Sequence, residues 1–143
     1  MDEILIAPCG MNCNICTAHL RKERACPGCR VVVSNKPPTR TRCVIKNCAV
    51  IKTNRSGFCY ECDAFPCARM QRLDKRYRTF YHMSEIANLV YIKEHGIVAF
   101  LKKEAEKWRC PECGGGICCH NGICYTCGLE KLRAKKHKLR WEE

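Results

Sequence analysis

The residues of this chain best suited to chemistry are thiols, and their spacing is that of metal ligands. Cysteine recurs in tight groups: Cys9, Cys13 and Cys16; Cys26 and Cys29; Cys43 and Cys48; Cys59, Cys62 and Cys67; Cys110 and Cys113; Cys124 and Cys127. Two cysteines separated by two residues present both sulfurs from one tight turn, half of a tetrahedral zinc site. Cys26-Pro27-Gly28-Cys29 and Cys110-Pro111-Glu112-Cys113 have the turn residues this needs. Cys110 and Cys113, then ten residues, then Cys124 and Cys127 is zinc-ribbon spacing, two knuckles joined by a short hairpin. These four are expected to bind one ion. Cys118, Cys119 and His120 lie inside that hairpin, and one of them replacing a ligand is the alternative.

The ten cysteines from Cys9 to Cys67 are all candidate ligands. One partition gives Cys13, Cys16, Cys26 and Cys29 to one ion and Cys43, Cys48, Cys59 and Cys62 to another, leaving Cys9 and Cys67 over. Interleaved pairing is equally allowed, because spacing fixes knuckles but not which knuckles meet. Two to three zinc ions are expected. An iron–sulfur cluster in the N-terminal half is the alternative, because a half rich in thiolates and poor in histidine suits iron as well. Cys-x3-Cys-x2-Cys at Cys9, Cys13 and Cys16 also matches the cluster spacing of radical enzymes. The chain is too short for the ~200–250 residues of a (β/α)-barrel.

Sixteen cysteines in 143 residues mean either disulfides in an oxidising compartment or thiolates in a reducing one. Met1 to Pro8 has no basic n-region and no apolar h-region, so no signal peptide is expected. No window reaches ~18 continuous apolar residues, so no membrane span is expected either. Cytoplasmic residence and thiolates follow. The formal charge of +12 points toward nucleic acid, but a zinc ion with four thiolates carries −2, so three such sites would leave about +6. No Gly-rich phosphate loop, Ser/His/Asp set or helix-borne His-Glu-x-x-His is present. A site closed by four sulfurs leaves no position for water, so the residues point to no reaction.

The elements that must position these thiols are short. Ile4 to Ile6 and Val31 to Val33 have the β-branched content of small strands, and Thr17 to Glu23 reads as one or two helical turns. Such fragments cannot bury a core of their own. Metal ligation is expected to hold residues 1–67 together, at ~10–16 kcal/mol per structural zinc. Residues 68–108 are helical in pattern. Pro66 suits a first helical position, and Met70 and Leu73 share a stripe. Ser84 reads as an N-cap and Gly96 as a stop. Ile97, Phe100, Leu101, Ala105 and Trp108 share a face of the next helix. The ribbon occupies 109–128 and a basic tail 129–143. The expected fold is thus a small, irregular, metal-stabilised α+β domain, with central helices and a C-terminal zinc ribbon.

Several motifs recur in a fixed order: Cys9-Gly10-x2-Cys13-x2-Cys16, Cys26-x-Gly28-Cys29, Cys43-x4-Cys48-Ala49 and Cys59-x2-Cys62-x2-Phe65-Pro66-Cys67. Asn88-Leu89-x2-Ile92-x3-Gly96-Ile97 and Trp108-x-Cys110-Pro111-x-Cys113-Gly114 follow. In this order the chain resembles the domain-of-unknown-function 3795 family of small cysteine-rich bacterial and archaeal proteins, over about residues 7 to 128. The resemblance implies metal binding and brings no reaction with it. Cys118, Cys119 and His120 depart from the family pattern.

The functional expectation is a metal-binding protein, with zinc, in a structural or protein-partner-binding role. An iron–sulfur redox or sensor protein is one alternative. Another is a nucleic-acid binder using the basic tail from Lys131 to Arg140, with Tyr125 or Trp141 for stacking.

Overall fold

The computed structural model describes residues 1–130; the basic segment from Lys131 onward, and the nucleic-acid reading built on it, lie outside them. Helices dominate. Three short ones, α1 (Thr17–Leu20), α2 (Pro38–Thr41) and α3 (Ala49–Thr53), interrupt the cysteine-rich half, and 3-10 turns form at Glu3–Leu5, Cys13–Ile15 and Cys59–Glu61. Three longer helices follow: α4 (Ala68–Phe80), α5 (Glu85–His95) and α6 (Ile97–Lys107).

The expected α+β class is corrected. Among the described residues there is no strand, only isolated bridges such as Ile6 with Asn12 and Ile117 with Cys124. Local capping explains the first miss. The Asp2 carboxylate accepts the main-chain N–H of Ile4 at 3.1 Å and winds Glu3–Leu5 into a 3-10 turn. Val31 to Val33 pairs with nothing as a strand, and Val32 is 90% exposed. The ribbon fails for the same reason: residues 109–130 are successive turns joined by single bridges.

The helical expectations fare better. Ser84 is the N-cap of α5, its hydroxyl accepting the Ala87 N–H at 3.0 Å, and Gly96 ends that helix with a φ of 84°. Asp74, buried on α4, reinforces the cap by accepting from the Ser84 hydroxyl at 2.6 Å and from the Ile86 N–H at 3.0 Å. α4 and α6 both pack on α5. On α6 the buried positions are Phe100 and Glu104, followed by the C-cap Trp108, while Ala105 is exposed. α4 begins at Ala68 rather than at Pro66.

The N-terminal segment gains from apolar burial by packing on the helices. Leu5, Ala7, Met11 and Ile15 join Met83 and Trp108 in one cluster, and Ile6, Ile45 and Phe58 join Met70, Leu89 and Phe100 in another. A fully buried Leu, Ile, Phe or Met contributes about 1.5–3 kcal/mol, so oil and not ions alone holds this half. Polar groups lock the same seam. The Asn88 amide donates to the Gly10 carbonyl at 3.0 Å. Gly10 runs so close to α5 that a Cβ there would sit 2.6 Å from the Glu85 carbonyl oxygen.

Glu85 itself is fully buried, and among the described residues neither carboxylate oxygen has a hydrogen-bond partner. Burial, with the Asp74 charge adding to it, pushes its carboxyl up to about 9. An unfolded glutamate gives up its proton near 4.3. Between those values the folded chain therefore holds one proton more than the unfolded chain. Stability then falls as pH rises through that window, by up to about 1.4 kcal/mol per pH unit. Glu85→Gln should abolish this slope and raise stability at pH 7 by about 3 kcal/mol; urea denaturation between pH 5 and 9 measures both.

Candidate metal centre

Three loops of one construction follow α6. In the first, the Cys110 N–H donates to Gly115 and the Gly114 N–H donates back to the Cys110 carbonyl, at 2.7 and 2.9 Å. Cys118 with Ile123 and Gly122 repeats this at 2.9 and 2.8 Å, and Cys124 with Leu129 and Gly128 repeats it again at 2.9 and 2.8 Å. The closing glycines Gly114, Gly122 and Gly128 have φ of 75°, 70° and 79°, a region in which a Cβ is costly. The first and third loops carry a second cysteine three residues on; the middle one has Asn121 there.

That difference decides the ligands. Sulfurs of Cys110, Cys113, Cys124 and Cys127 all lie within 4.8 Å of one another. Cys110 Sγ is 3.6 Å from Cys127 Sγ, and Cys113 Sγ is 3.5 Å from Cys124 Sγ. Four sulfurs held about 2.3 Å from one zinc would be about 3.8 Å apart, so this donor set fits a tetrahedral ion. Disulfides, at about 2.05 Å, do not describe it. Cys110 and Cys124 are buried, whereas Cys113 and Cys127 face solvent. Main-chain N–H groups of Cys127 and Thr126, with the Cys113 and Cys110 thiols, bring the Cys124 thiol down to about 6. A ligand that loses its proton so readily costs little to metallate near neutral pH.

Gly115 sits between the two knuckles. A Cβ there would lie 2.5 Å from Thr126 Oγ1, 2.9 Å from Thr126 Cβ and 3.2 Å from Cys113 Sγ. Gly115→Ala should therefore push the knuckles apart, at about 1–3 kcal/mol of overpacking. The checks are a weaker zinc affinity in competition with a chromophoric chelator and its recovery in Gly115→Ala/Thr126→Gly.

The middle loop anchors the site to the rest of the molecule. Cys118 and Cys119 are fully buried and outside the four-sulfur group. The Cys119 N–H donates to the Ile15 carbonyl at 3.0 Å. His120 places Nδ1 3.2 Å from Cys119 Sγ and Nε2 3.4 Å from the Tyr77 hydroxyl. Its burial, with Arg40 and Arg76 nearby, pulls the imidazole down to about 4, so it is neutral at pH 7. Tyr125, from the third loop, meets the Thr17 hydroxyl at 3.0 Å.

The N-terminal cysteines do not converge in this way. Among the described residues, the C-terminal four are the metal-ligand group that forms. The expected two to three zinc ions, and the iron–sulfur cluster in the N-terminal half, are corrected to one site near residues 110–127. The thiols from Cys9 to Cys67 are used largely as packing groups. Cys13 lies in the first apolar cluster, with Cys9, Cys16 and Cys29 against it, and Cys59 lies in the second, with Cys43 and Cys67 against it. Cys26 is buried as well. Cys48 and Cys62 join Cys59 and Cys67 in lining a mostly apolar cavity of about 350 Å³, which Arg69 also reaches. Cys13 hydrogen-bonds to Cys29, and this contact, with Lys36, Lys46 and Arg40 around it, brings the Cys29 thiol down to about 6. His19 is not a ligand in this arrangement; its Nδ1 is 2.7 Å from the Cys26 carbonyl.

Sequence reasoning missed Gly115 and Thr126 as the spacers of the centre; the signal was the run Gly114-Gly115-Gly116. Among the described residues, no helix is long and apolar enough to cross a membrane. No curated protein and no solved structure matches this chain. Over residues 5–72, ahead of the four-sulfur centre, the chain matches the family model described as Protein of unknown function (DUF3795).

Proposed function

We propose that this chain is a zinc-binding protein whose one closed centre, at Cys110, Cys113, Cys124 and Cys127, is structural. The ion joins the first and third C-terminal loops, and the middle loop carries them onto Ile15, Thr17 and Tyr77. A rigid surface for a macromolecular partner is the result. The observation that carries this reading is the approach of four sulfurs to within 4.8 Å. Zinc is favoured because four thiolates on two Cys-x-x-Cys turns are one of its recurring structural settings, and all four positions are filled by protein.

Native mass spectrometry of the full chain, purified under reducing conditions, tests it. One zinc per chain is expected in the wild type and none in Cys113→Ser/Cys127→Ser. A wild type without zinc, or a double variant that keeps it, would refute the reading.

A further inference from the structure

Helix α4 is basic around its whole exposed side. Arg69, Arg72, Lys75, Arg76 and Arg78 are exposed, and the one acid of the helix, Asp74, is buried beneath them. Arg78 is tied to Asp74 at 2.7 Å. Among the described residues, the other four pair with no carboxylate. Such like charges on one helix repel one another, and among the described residues Asp74 is the carboxylate paired with them. Across from α4, Lys103 and Lys107 of α6 face Lys75 and Arg78 over an open cleft of about 680 Å³, which Ser84 and Asn88 also line. Both lysines are held in place: Lys103 Nζ lies 4.2 Å from the centre of the Tyr91 ring, and Lys107 Nζ donates to the His82 carbonyl at 3.4 Å.

We propose that the exposed face of α4, with the α6 lysines across the cleft, docks the phosphodiester backbone of a nucleic acid. The length of the patch argues for a polymer rather than a small anion. Thirteen residues of helix span about 20 Å, and one nucleic-acid strand carries a phosphate every ~3.4 Å along such a length. Four of the five α4 cations are arginine, whose planar fork matches phosphate oxygens two at a time. A lipid surface would want large apolar residues among the charges, and the exposed part of α4 offers one only at its end, Phe80. None of the five cations belongs to the four-sulfur group, and Tyr77 on the same helix meets His120 of the middle loop.

Fluorescence anisotropy with the zinc-loaded full chain tests it, using labelled single-stranded and duplex DNA of about 20 nucleotides between about 50 and 200 mM salt. Arg72→Glu/Arg76→Glu should weaken binding by about tenfold or more and flatten the salt slope by about 0.7–0.9 per lost phosphate contact. Lys22→Glu/Lys52→Glu, which changes net charge equally at exposed sites outside α4 and the cleft, should stay within about threefold of wild type because it leaves the proposed phosphate contacts in place. Unchanged circular dichroism would show that both variants fold. Preference for either single strand or duplex supports the proposal. Equal weakening by the two double variants would overturn it, as would absence of binding at the lowest salt. So would competition by polyglutamate as effective as that by DNA, or binding that survives Arg72→Glu/Arg76→Glu and vanishes on removal of residues 131–143.

Discussion

Glu104→Ala is expected to lower the unfolding free energy by about 2–6 kcal/mol, about 1–3 for each of the two buried hydrogen bonds it removes. Glu104 is 1% exposed. Its Oε2 accepts from the Asn12 amide at 3.0 Å and from the Trp108 indole N–H at 2.9 Å. One carboxylate oxygen thus ties the turn within the first cysteine group to the end of α6, where the metal-binding loops begin. Glu104→Gln keeps an oxygen acceptor and should cost about 1–2 kcal/mol, the value of a charge-assisted bond less that of a neutral one. Urea denaturation of the three proteins measures the difference. Equal losses in Ala and Gln would mean that the charge, and not the acceptor, is what the fold uses.

Cys124→Ser should weaken zinc binding by more than the about 10–100-fold that follows loss of an outer-shell partner. Cys124 is a buried thiol whose proton main-chain N–H groups make easy to lose, and it sits 3.5 Å from Cys113 Sγ. Its serine hydroxyl would be a poor zinc ligand at neutral pH. Cys118→Ser and Cys119→Ser should retain the ion, because neither belongs to the four-sulfur group. They should instead cost stability, since each places a hydroxyl where a fully buried thiol now packs, at about 1–3 kcal/mol if it finds no partner. Chelator competition and thermal melts together separate the two behaviours.

The contrast between the two halves shows what spacing can and cannot say. Local signals were readable: Ser84 as N-cap, Gly96 as stop, and Cys110, Cys113, Cys124 and Cys127 as one set. Each of these depends on contacts within about twenty residues. The N-terminal cysteines have the same local spacing, yet a thiol is also a small apolar group, and whether it meets three others or a leucine depends on distant chain. Leu5, Met11 and Ile15 find their cover on Met83 and Trp108, which no periodicity within residues 1–67 reveals. Glu104 was invisible for the same reason: its partner Asn12 is ninety-two residues away. Ile4 to Ile6 misled because composition favoured a strand, while Asp2 supplied a cap that composition does not weigh.

Zinc-edge X-ray absorption on the reduced full chain tests the central claim most directly. One zinc per chain with four sulfurs at about 2.3 Å is the predicted result, lost in Cys113→Ser/Cys127→Ser. A coordination shell containing nitrogen or oxygen, or zinc that leaves only when cysteines between Cys9 and Cys67 are replaced, would contradict it.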